Sequence, residues 1–358
     1  MSVVLRVSVS PGELRVAAVE DGVLLDFALW RPGRPDGVDD IYRGRVVAVA
    51  PALAGCFVAL GDQDGFLPDS DGGRGLGEGD FVAVRVTRAA QAGKGMRLSA
   101  RDVRAEAGAP GLVARGPGAV LEMAVLHPDA TVLIDDAAAL AGLRSELGDR
   151  LRLVARAFDD GLEAEIDGLF ATPVPVSGGV IHIEPTRALV AIDLDSGLGG
   201  GRMLRGGAHL AANRAMLPEL VRQIRLRDLG GLILVDFAGL AVKRRVALGP
   251  ELAALLACDP RRPRLAGFTH LGLAEIVRTR RRPALHELVE GAHAIGLAAL
   301  REASRLKGGR LVLRAAPAIV AALESDEVAL AAYARGAVYP LRLVADPAVS
   351  YVIEVVGK

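Results

Sequence analysis

Cysteine, lysine and aromatic residues are scarce in this sequence of 358 residues. The two cysteines, Cys56 and Cys258, lie far apart and outside any CxxC or Cys/His cluster, which excludes a disulfide framework and a thiolate zinc site. We expect both to be buried as small apolar residues. The six histidines show no HxH or HExxH spacing, and no Gly-x-Ser-x-Gly elbow occurs. The sequence therefore supports neither a zinc enzyme nor the commonest kind of serine hydrolase.

Long apolar runs are also missing. No stretch approaches the roughly 18 consecutive apolar residues that a membrane-spanning helix needs. Residues 1–30 place charged residues between short apolar runs, which is typical of strands and not of the core of a signal peptide. We therefore expect a cytoplasmic protein with no membrane partner. A chain of this length favours two or three domains over one.

Net charge gives no indication of a polyanionic partner, because acidic and basic residues balance at 43 each. Arginine supplies nearly all of the positive charge, and its planar guanidinium suits bidentate contacts with phosphate. A GC-rich genome would produce the same bias, so local clusters matter more than the total. Each cluster is open to two interpretations, a solvated helix face or a field that attracts phosphates. Three clusters are Arg222, Arg225 and Arg227; Lys243, Arg244 and Arg245; and Arg278 with Arg280, Arg281 and Arg282, the last placed at a helix end.

Apolar patterning divides the chain into regions. Residues 1–30 alternate with a period of two, which predicts a three-stranded meander followed by a Pro/Gly/Asp linker at 31–40. Five short strand-like runs between Tyr42 and Ala100 suit a small closed barrel of the OB type. After Arg101 helices and buried strands alternate, with helices predicted at 137–147, 211–226, 251–257 and 292–307. The sequence thus predicts a multidomain α+β protein.

Two apolar strands end in carboxylates. One carries Asp193 and Asp195, and the other carries Asp236. Carboxylates delivered to the C-terminal ends of buried strands lie where open α/β sheets bind ligands. Without sulfur or histidine ligands nearby, they suit a hard cation such as Mg²⁺, which can orient water and stabilise charge on a cleaving phosphodiester. An aspartate that closes a strand is also a common helix N-cap or turn former, so both interpretations stay open.

The barrel region holds a second group of candidates. Phe57 and Phe66 stand in a chain that is only 4% aromatic, and aromatic residues on an OB surface stack single-stranded bases. Arg43, Arg45 and Lys94 are candidates for contacts with backbone phosphates. Ordinary barrel core is the alternative for each Phe. The Gly-rich loop at 197–207 lacks a Gly-Lys-Ser/Thr ending and is not a nucleotide P-loop.

Several segments resemble the ribonuclease E/G family. RQIRLRDLGGLILVDF (222–237) resembles its most characteristic segment, and AIDLDSG (191–197) is similar to its other acidic motif. DIYRGRVVAVAPALAGCFVALGDQDGFLP (40–68) resembles its S1-type OB domain. FTHLGLAEIVRTRRRPAL (268–285) is similar to the segment that follows the catalytic core. The resemblance covers nearly the whole chain.

This resemblance implies both a fold and an activity. The implied architecture is an RNase H-like scaffold (1–37 and 104–170) with an inserted S1-type OB β-barrel (38–103). A DNase I-like catalytic subdomain (171–283) and a small C-terminal α+β domain (284–358) follow. The implied activity is hydrolysis of single-stranded RNA with Mg²⁺, leaving a 5′-phosphate on the downstream product. Matching positions are Asp193 and Asp236 for the catalytic metal, with Asp195 nearby. Phe57, Phe66 and Lys94 match RNA-contacting positions of the S1-type domain, and Asn213 matches a family asparagine near the helix start. The basic residues Arg43, Arg225 and Arg278, taken from the charge pattern, are further expected RNA contacts.

The chain departs from the family pattern in three places. The region between His286 and His293 contains no cysteine, so a zinc-linked dimer is not implied, although a homo-oligomer stays open. The segment 101–109 is too short for the subdomain that senses a 5′-monophosphate. His270 and Leu271 replace an Arg-aromatic pair. The alternative function is a non-catalytic RNA-binding protein of the same fold, but binding alone would not require both acidic motifs.

Overall fold

The computed structural model describes residues 2–91, 93–104, 108–197, 206–237, 239–306, 309–337 and 340–356. The chain forms two compact units, each assembled from separate stretches of sequence. The first unit consists of Met1–Pro35, Gly118–Asp167 and Leu285–Lys358, and the second consists of Asp36–Pro117 and Gly168–Ala284.

The first unit begins with a five-stranded mixed sheet. Its strands are β1 (Val4–Ser10), β2 (Glu13–Glu20), β3 (Val23–Trp30), β10 (Thr131–Ile134) and β11 (Leu151–Leu153), in the order β11-β10-β1-β2-β3. The first three strands form the predicted antiparallel meander, while β10 and β11 run parallel to β1. Three helices accompany the sheet: α1 (Gly118–Leu126), α2 (Ala137–Leu147) and α3 (Asp160–Gly168). Asp136 caps α2 by accepting a hydrogen bond from the Ala139 amide.

The end of the chain adds a smaller layer to the same unit. Its three strands are β18 (Arg310–Ala315), β19 (Leu341–Ala345) and β20 (Tyr351–Val356), with β18 in the centre. The helices are α7 (Leu285–Val289), α8 (Ala292–Arg305), α9 (Pro317–Glu324) and α10 (Glu327–Gly336). Leu297, Leu313 and Leu323 are fully buried in a core that these elements share. The predicted C-terminal α+β arrangement is therefore present.

The second unit opens with a closed five-stranded barrel. Its strands are β4 (Ile41–Ala50), β5 (Gly55–Ala59), β6 (Asp64–Pro68), β7 (Phe81–Arg88) and β8 (Met96–Ser99). Closure arises because the long strand β4 pairs with both β5 and β7. A further strand, β9 (Gly111–Ala114), pairs with β4. The sheet of the barrel thus extends beyond the boundary at residue 103 that the sequence predicts. The closed barrel agrees with the OB-type prediction.

A six-stranded sheet completes the second unit. It contains β12 (Val174–Val176), β13 (Gly179–Pro185), β14 (Val190–Asp195), β15 (Gly231–Phe237), β16 (Arg264–Phe268) and β17 (Ala274–Arg278), in the order β12-β13-β14-β15-β17-β16. Its helices are α4 (Gly206–Leu226), α5 (Val242–Val246) and α6 (Gly249–Leu256). Strand alternation buries Ile192, Leu194, Ile233 and Val235 in one core. On the other face, which we call the open face, the side chains of the described residues are exposed or partly exposed, Asp193, Asp195 and Asp236 among them. Residues 198–205 of the predicted Gly-rich loop lie outside the described residues.

Two expectations about local environment are wrong. Cys258 is exposed, because it follows the last turn of α6, whereas Cys56 is buried in the barrel as predicted. Arg278 ends strand β17 and does not lie at a helix end. None of the described helices is long and apolar enough to cross a membrane. The RNase H-like and DNase I-like descriptions of the two larger sheets stay predictions.

Candidate active site

The two predicted metal-binding aspartates meet on the open face of the second unit's sheet. Strands β14 and β15 are parallel, and their register places Asp193 directly beside Asp236. Neighbouring strands lie about 4.8 Å apart, so the two residues occupy adjacent positions on one face. The flanking residues Leu194 and Val235 are buried on the opposite face, which fixes the direction in which the carboxylates point. The fold therefore brings together two residues that are 43 positions apart in sequence.

Negative charge is concentrated at this pair. Burial, and after it the charge of Asp236, raises the pKa of Asp193 above its ordinary value. Asp195 acts in the same direction, whereas His182 and Arg245 oppose it. His182 lies opposite Asp193 in the antiparallel β13–β14 pair, so three adjacent strands contribute to the cluster. Such crowding of carboxylates stabilises a bound cation, because each ionised group then gains a partner.

Arg245 holds one of these carboxylates in place. Its Nη1 donates to Oδ1 of Asp236, and its Nε donates to the Leu240 carbonyl oxygen at 2.7 Å. The side chain of Arg245 is only 16% exposed, whereas that of Asp236 is 46% exposed, so the carboxylate stays accessible from solvent. The sequence indicated Lys243, Arg244 and Arg245 as a cluster of positive charge. The structure singles out Arg245 from that cluster as the residue that contacts the acidic pair.

The residues present fit a loosely held hard cation. Mg²⁺ typically takes one or two protein carboxylates and completes its shell with water and substrate phosphate. Asp193 and Asp236 supply that number. Asp195 lies two residues further along β14, and its Oδ1 accepts a hydrogen bond from the Gly197 amide at 2.9 Å. Within the described ranges no group of three or more His, Cys, Asp or Glu side chains is arranged to hold a metal ion. Asp195 as a ligand stays a prediction.

The predicted aromatic pair lies on the outside of the barrel. Phe57 and Phe66 are opposite each other on β5 and β6, with ring centroids 5.4 Å apart in an edge-to-face arrangement. Phe57 is 37% exposed and Phe66 is partly exposed, so neither belongs to the barrel core. Arg97 on β8 is in register with Phe66, and Arg88 on β7 is in register with Arg97. The sequence did not indicate these two arginines, because only the register brings them into line with the phenylalanines.

The remaining predicted RNA contacts have different environments. Lys94 is exposed at a tight turn, where its backbone bridges to Gln91. Arg43 is partly exposed, and its Nε donates to the Ala109 carbonyl oxygen at 3.1 Å. Arg225 is partly exposed on α4, with a long contact of 3.5 Å from Nη1 to the carbonyl oxygen of Cys258. These three residues keep enough exposure to contact a ligand.

Two predicted RNA contacts, Arg278 and Asn213, are buried in this structure. The Arg278 side chain is only 3% exposed and is held by the carboxylates of Asp259 and Asp228 at 2.7 and 2.5 Å. Asn213 is completely buried on α4, where its amide nitrogen donates to the His209 carbonyl oxygen at 2.7 Å. Neither side chain reaches a surface where RNA could contact it. Arg278 and Asn213 as RNA contacts stay predictions.

Comparisons with known proteins support the resemblance seen in the sequence. A sequence model described as "Ribonuclease E/G family" matches residues 137–281, which include the acidic pair. The "Ribonuclease E/G-like protein, chloroplastic" of Arabidopsis thaliana is 38% identical over 35% of this chain and 13% of its own length. Ribonuclease E of Synechocystis is also 38% identical, over 31% of this chain and 17% of its own length. The matches thus span under a fifth of the length of these two curated relatives.

Ribonuclease G of Escherichia coli is similar over a longer range. It is 24% identical over 91% of this chain and 93% of its own length. That alignment is 459 positions long and therefore longer than this chain, so ribonuclease G contains segments that the chain lacks. The acidic motifs, the matched segment and the long alignment agree with one another. The chain is similar to the ribonuclease E/G family over residues 137–281 and to ribonuclease G over most of its length.

Proposed function

We propose that this protein is an endoribonuclease that hydrolyses phosphodiester bonds in single-stranded RNA. The observation that carries the proposal is the register between Asp193 and Asp236, which places two carboxylates side by side on the open face of a sheet. Two carboxylates in this position suit Mg²⁺, and when bound this ion supplies water activation and charge stabilisation at a phosphodiester. The names of the relatives, ribonucleases E and G, favour the same reaction.

The residues of the chain itself have separable roles in this proposal. Asp193 and Asp236 hold the cation, and Arg245 orients Asp236 through the ion pair that they form. An oriented carboxylate needs less reorganisation when substrate arrives, which favours productive geometry. The positive charge of Arg245 also lies near the position where the phosphate would approach. Asp195 forms the turn that follows β14 and stands next to the pair.

RNA recognition is assigned to the outside of the barrel. Phe57 and Phe66 offer two aromatic faces for stacking, and stacking suits any base because each base has a π-face. Lys94 lies in the turn just before β8 and offers a charge for the RNA backbone. Single-stranded RNA suits this surface better than duplex does, since stacked bases in a duplex are not free to contact side chains.

The test compares Asp193→Asn and Asp236→Asn with the unmodified protein on a labelled single-stranded RNA, with Mg²⁺ and with EDTA. We expect both variants to lose cleavage and to keep their unfolding temperature, because each loses a charged ligand on an open face. Asp195→Asn is the matched control on the same strand and face, and we expect a milder loss. A downstream product with a 5′-phosphate would identify the reaction as hydrolysis of the expected bond.

Two results would contradict this assignment. Wild-type rates for either variant at low Mg²⁺ would show that the pair does not share the metal. An unmodified protein that binds RNA in a filter assay but never cleaves it would favour the alternative, a non-catalytic RNA-binding protein.

A further inference from the structure

Three arginines of the second unit lie together where its barrel meets its six-stranded sheet. Arg88 and Arg97 face each other across β7 and β8. The amide of Ala89 donates to the Arg281 carbonyl oxygen at 2.8 Å, which brings the residue before it, Arg280, close to the end of β7. Burial, and after it the charges of Arg97 and Arg280, lowers the pKa of Arg88 below its ordinary value. We call Arg88, Arg97 and Arg280 the arginine seam.

Arg97 and Arg88 differ in how their positive charge is compensated. Arg97 pairs with Asp71 at 3.0 Å. Arg88 forms no ion pair with the described residues, and its Nε is buried there without a hydrogen-bond acceptor. Its Nη2 donates to the Gly95 carbonyl oxygen at 3.2 Å. A guanidinium desolvated among other cations raises the free energy of the unliganded protein, and an anion would lower it again.

The neighbouring arginines show that this arrangement is specific. Arg281 pairs with Asp39 at 2.7 Å, and Arg282 pairs with Asp36 at 2.5 Å. Those two contacts fasten the sheet to the first residues of the barrel segment. Arg281 and Arg282 therefore have carboxylate partners, as expected of arginines with a structural role. Arg88 does not, which is the pattern of a site that awaits an anionic ligand.

We infer that the arginine seam binds the backbone phosphate of a single-stranded RNA as the strand passes from the barrel to the catalytic sheet. The inference rests on the function proposed above. The seam continues the aromatic pair, because Phe57, Phe66, Arg97 and Arg88 occupy one row across four neighbouring strands. That row spans three strand spacings, about 14 Å. A planar guanidinium suits the two free oxygens of a phosphodiester.

The other end of the seam lies at the edge of the sheet that carries the acidic pair. Arg280 follows β17, whose last residue Arg278 is in register with Gly231 at the start of β15. Asp236 lies five positions further along β15, about 17 Å away. A strand bound on the phenylalanines and on the seam would therefore be directed toward the sheet that carries the catalytic pair. The ligand of the arginine seam is thus the phosphodiester backbone of RNA, which the seam would bind whatever the base sequence.

The experiment measures binding separately from cleavage. All proteins carry Asp193→Asn and are kept in EDTA, and the probe is a labelled oligouridylate of about 16 nucleotides, the upper site size for an OB fold. Dissociation constants are measured over a range of salt concentrations. We expect Arg88→Gln and Arg280→Gln each to lower the slope of log affinity against log salt by about 0.7, the value for one lost contact with single-stranded phosphate.

Two controls accompany these variants. Arg88→Lys keeps the positive charge and should therefore keep most of the salt slope. If Arg88 acted only through the shape of its guanidinium, Arg88→Lys would lose as much of the slope as Arg88→Gln. Arg144→Gln removes an equal charge from the exposed surface of α2 in the other unit and should leave the slope unchanged. Thermal unfolding of each variant shows that the fold is retained.

The outcomes separate this inference from the proposed function. If Arg88→Gln and Arg280→Gln leave the salt slope unchanged while Phe57→Ala still weakens binding, the arginine seam does not bind RNA. The proposed function is then unaffected. Lower slopes in a protein that never cleaves RNA would support the seam and contradict the endoribonuclease assignment. An unmodified protein with no affinity for the oligouridylate would overturn both.

Discussion

Arg278 offers the sharpest test of how burial changes the role of an arginine. Its Nε donates to Asp259 at 2.7 Å, and its Nη1 donates to Asp228 at 2.5 Å and to the Leu229 carbonyl oxygen at 3.0 Å. Burial on its own would lower the pKa of Arg278, but the two carboxylates raise it above its ordinary value. The guanidinium is therefore firmly charged in a buried position. We predict that Arg278→Met destabilises the second unit and does not act on RNA binding.

The expected loss of stability depends on the partners that Asp228 and Asp259 keep when Arg278 is replaced. Asp228 keeps a second ion pair, to Arg261 at 2.7 Å. The side chain of Asp259 is 1% exposed, and the hydrogen bond that it keeps with the described residues comes from the amide of Arg261 at 2.8 Å. Removing one partner from a buried ion pair costs about 3–5 kcal/mol, because the other charge stays buried and uncompensated. At about 2–4 °C for each kcal/mol, the unfolding temperature should fall by roughly 6–20 °C.

The assay is thermal unfolding beside RNA binding. The double variant Arg278→Met with Asp259→Asn should recover part of the lost stability, because it removes the stranded charge together with its partner. A single variant that unfolds within about 2 °C of the unmodified protein, the shift expected for well under 1 kcal/mol, would refute the argument from burial. A lower salt slope for RNA binding in a folded Arg278→Met protein would restore the residue to the RNA contacts that the sequence predicted.

Three further predictions concern the barrel, the first unit and substrate choice. Phe57→Ala and Phe66→Ala should each weaken RNA binding by roughly 1–3 kcal/mol in a filter assay while unfolding temperature changes little, and a large loss of stability instead would place them in the core. Burial alone would raise the pKa of Glu163, but the Arg15 and Arg305 guanidiniums lower it to about 2, so its stabilisation is present above pH 4.5 and is lost as pH falls toward 2. Acid unfolding should show this loss of about 1–3 kcal/mol, and Glu163→Gln should abolish it. Cleavage of 5′-monophosphorylated and 5′-hydroxyl RNA should differ by less than about tenfold, or 1.4 kcal/mol, and a larger preference would reveal a pocket for the end group.

Sequence alone determined the features that depend on local pattern. Alternation of apolar residues with a period of two is imposed by strand geometry, so the meander at residues 1–30 and the five strands of the barrel could be predicted. The same reasoning placed Asp193 and Asp236 at the ends of buried strands. It also indicated Phe57 and Phe66, because aromatic residues are rare in this chain and both stand in barrel strands.

Tertiary structure decided which side chains meet and which are buried. Asp193 and Asp236 are neighbours only because β14 pairs with β15 in one register, and a shift by one residue would turn one carboxylate into the core. Arg278 and Arg88 look alike in the sequence, yet one is held by two buried carboxylates and the other stands among cations. The local sequence pattern determines the periodicity of strands and helices. The partner of a charged side chain instead depends on contacts between residues far apart in the chain, and those contacts form only when the strands pair.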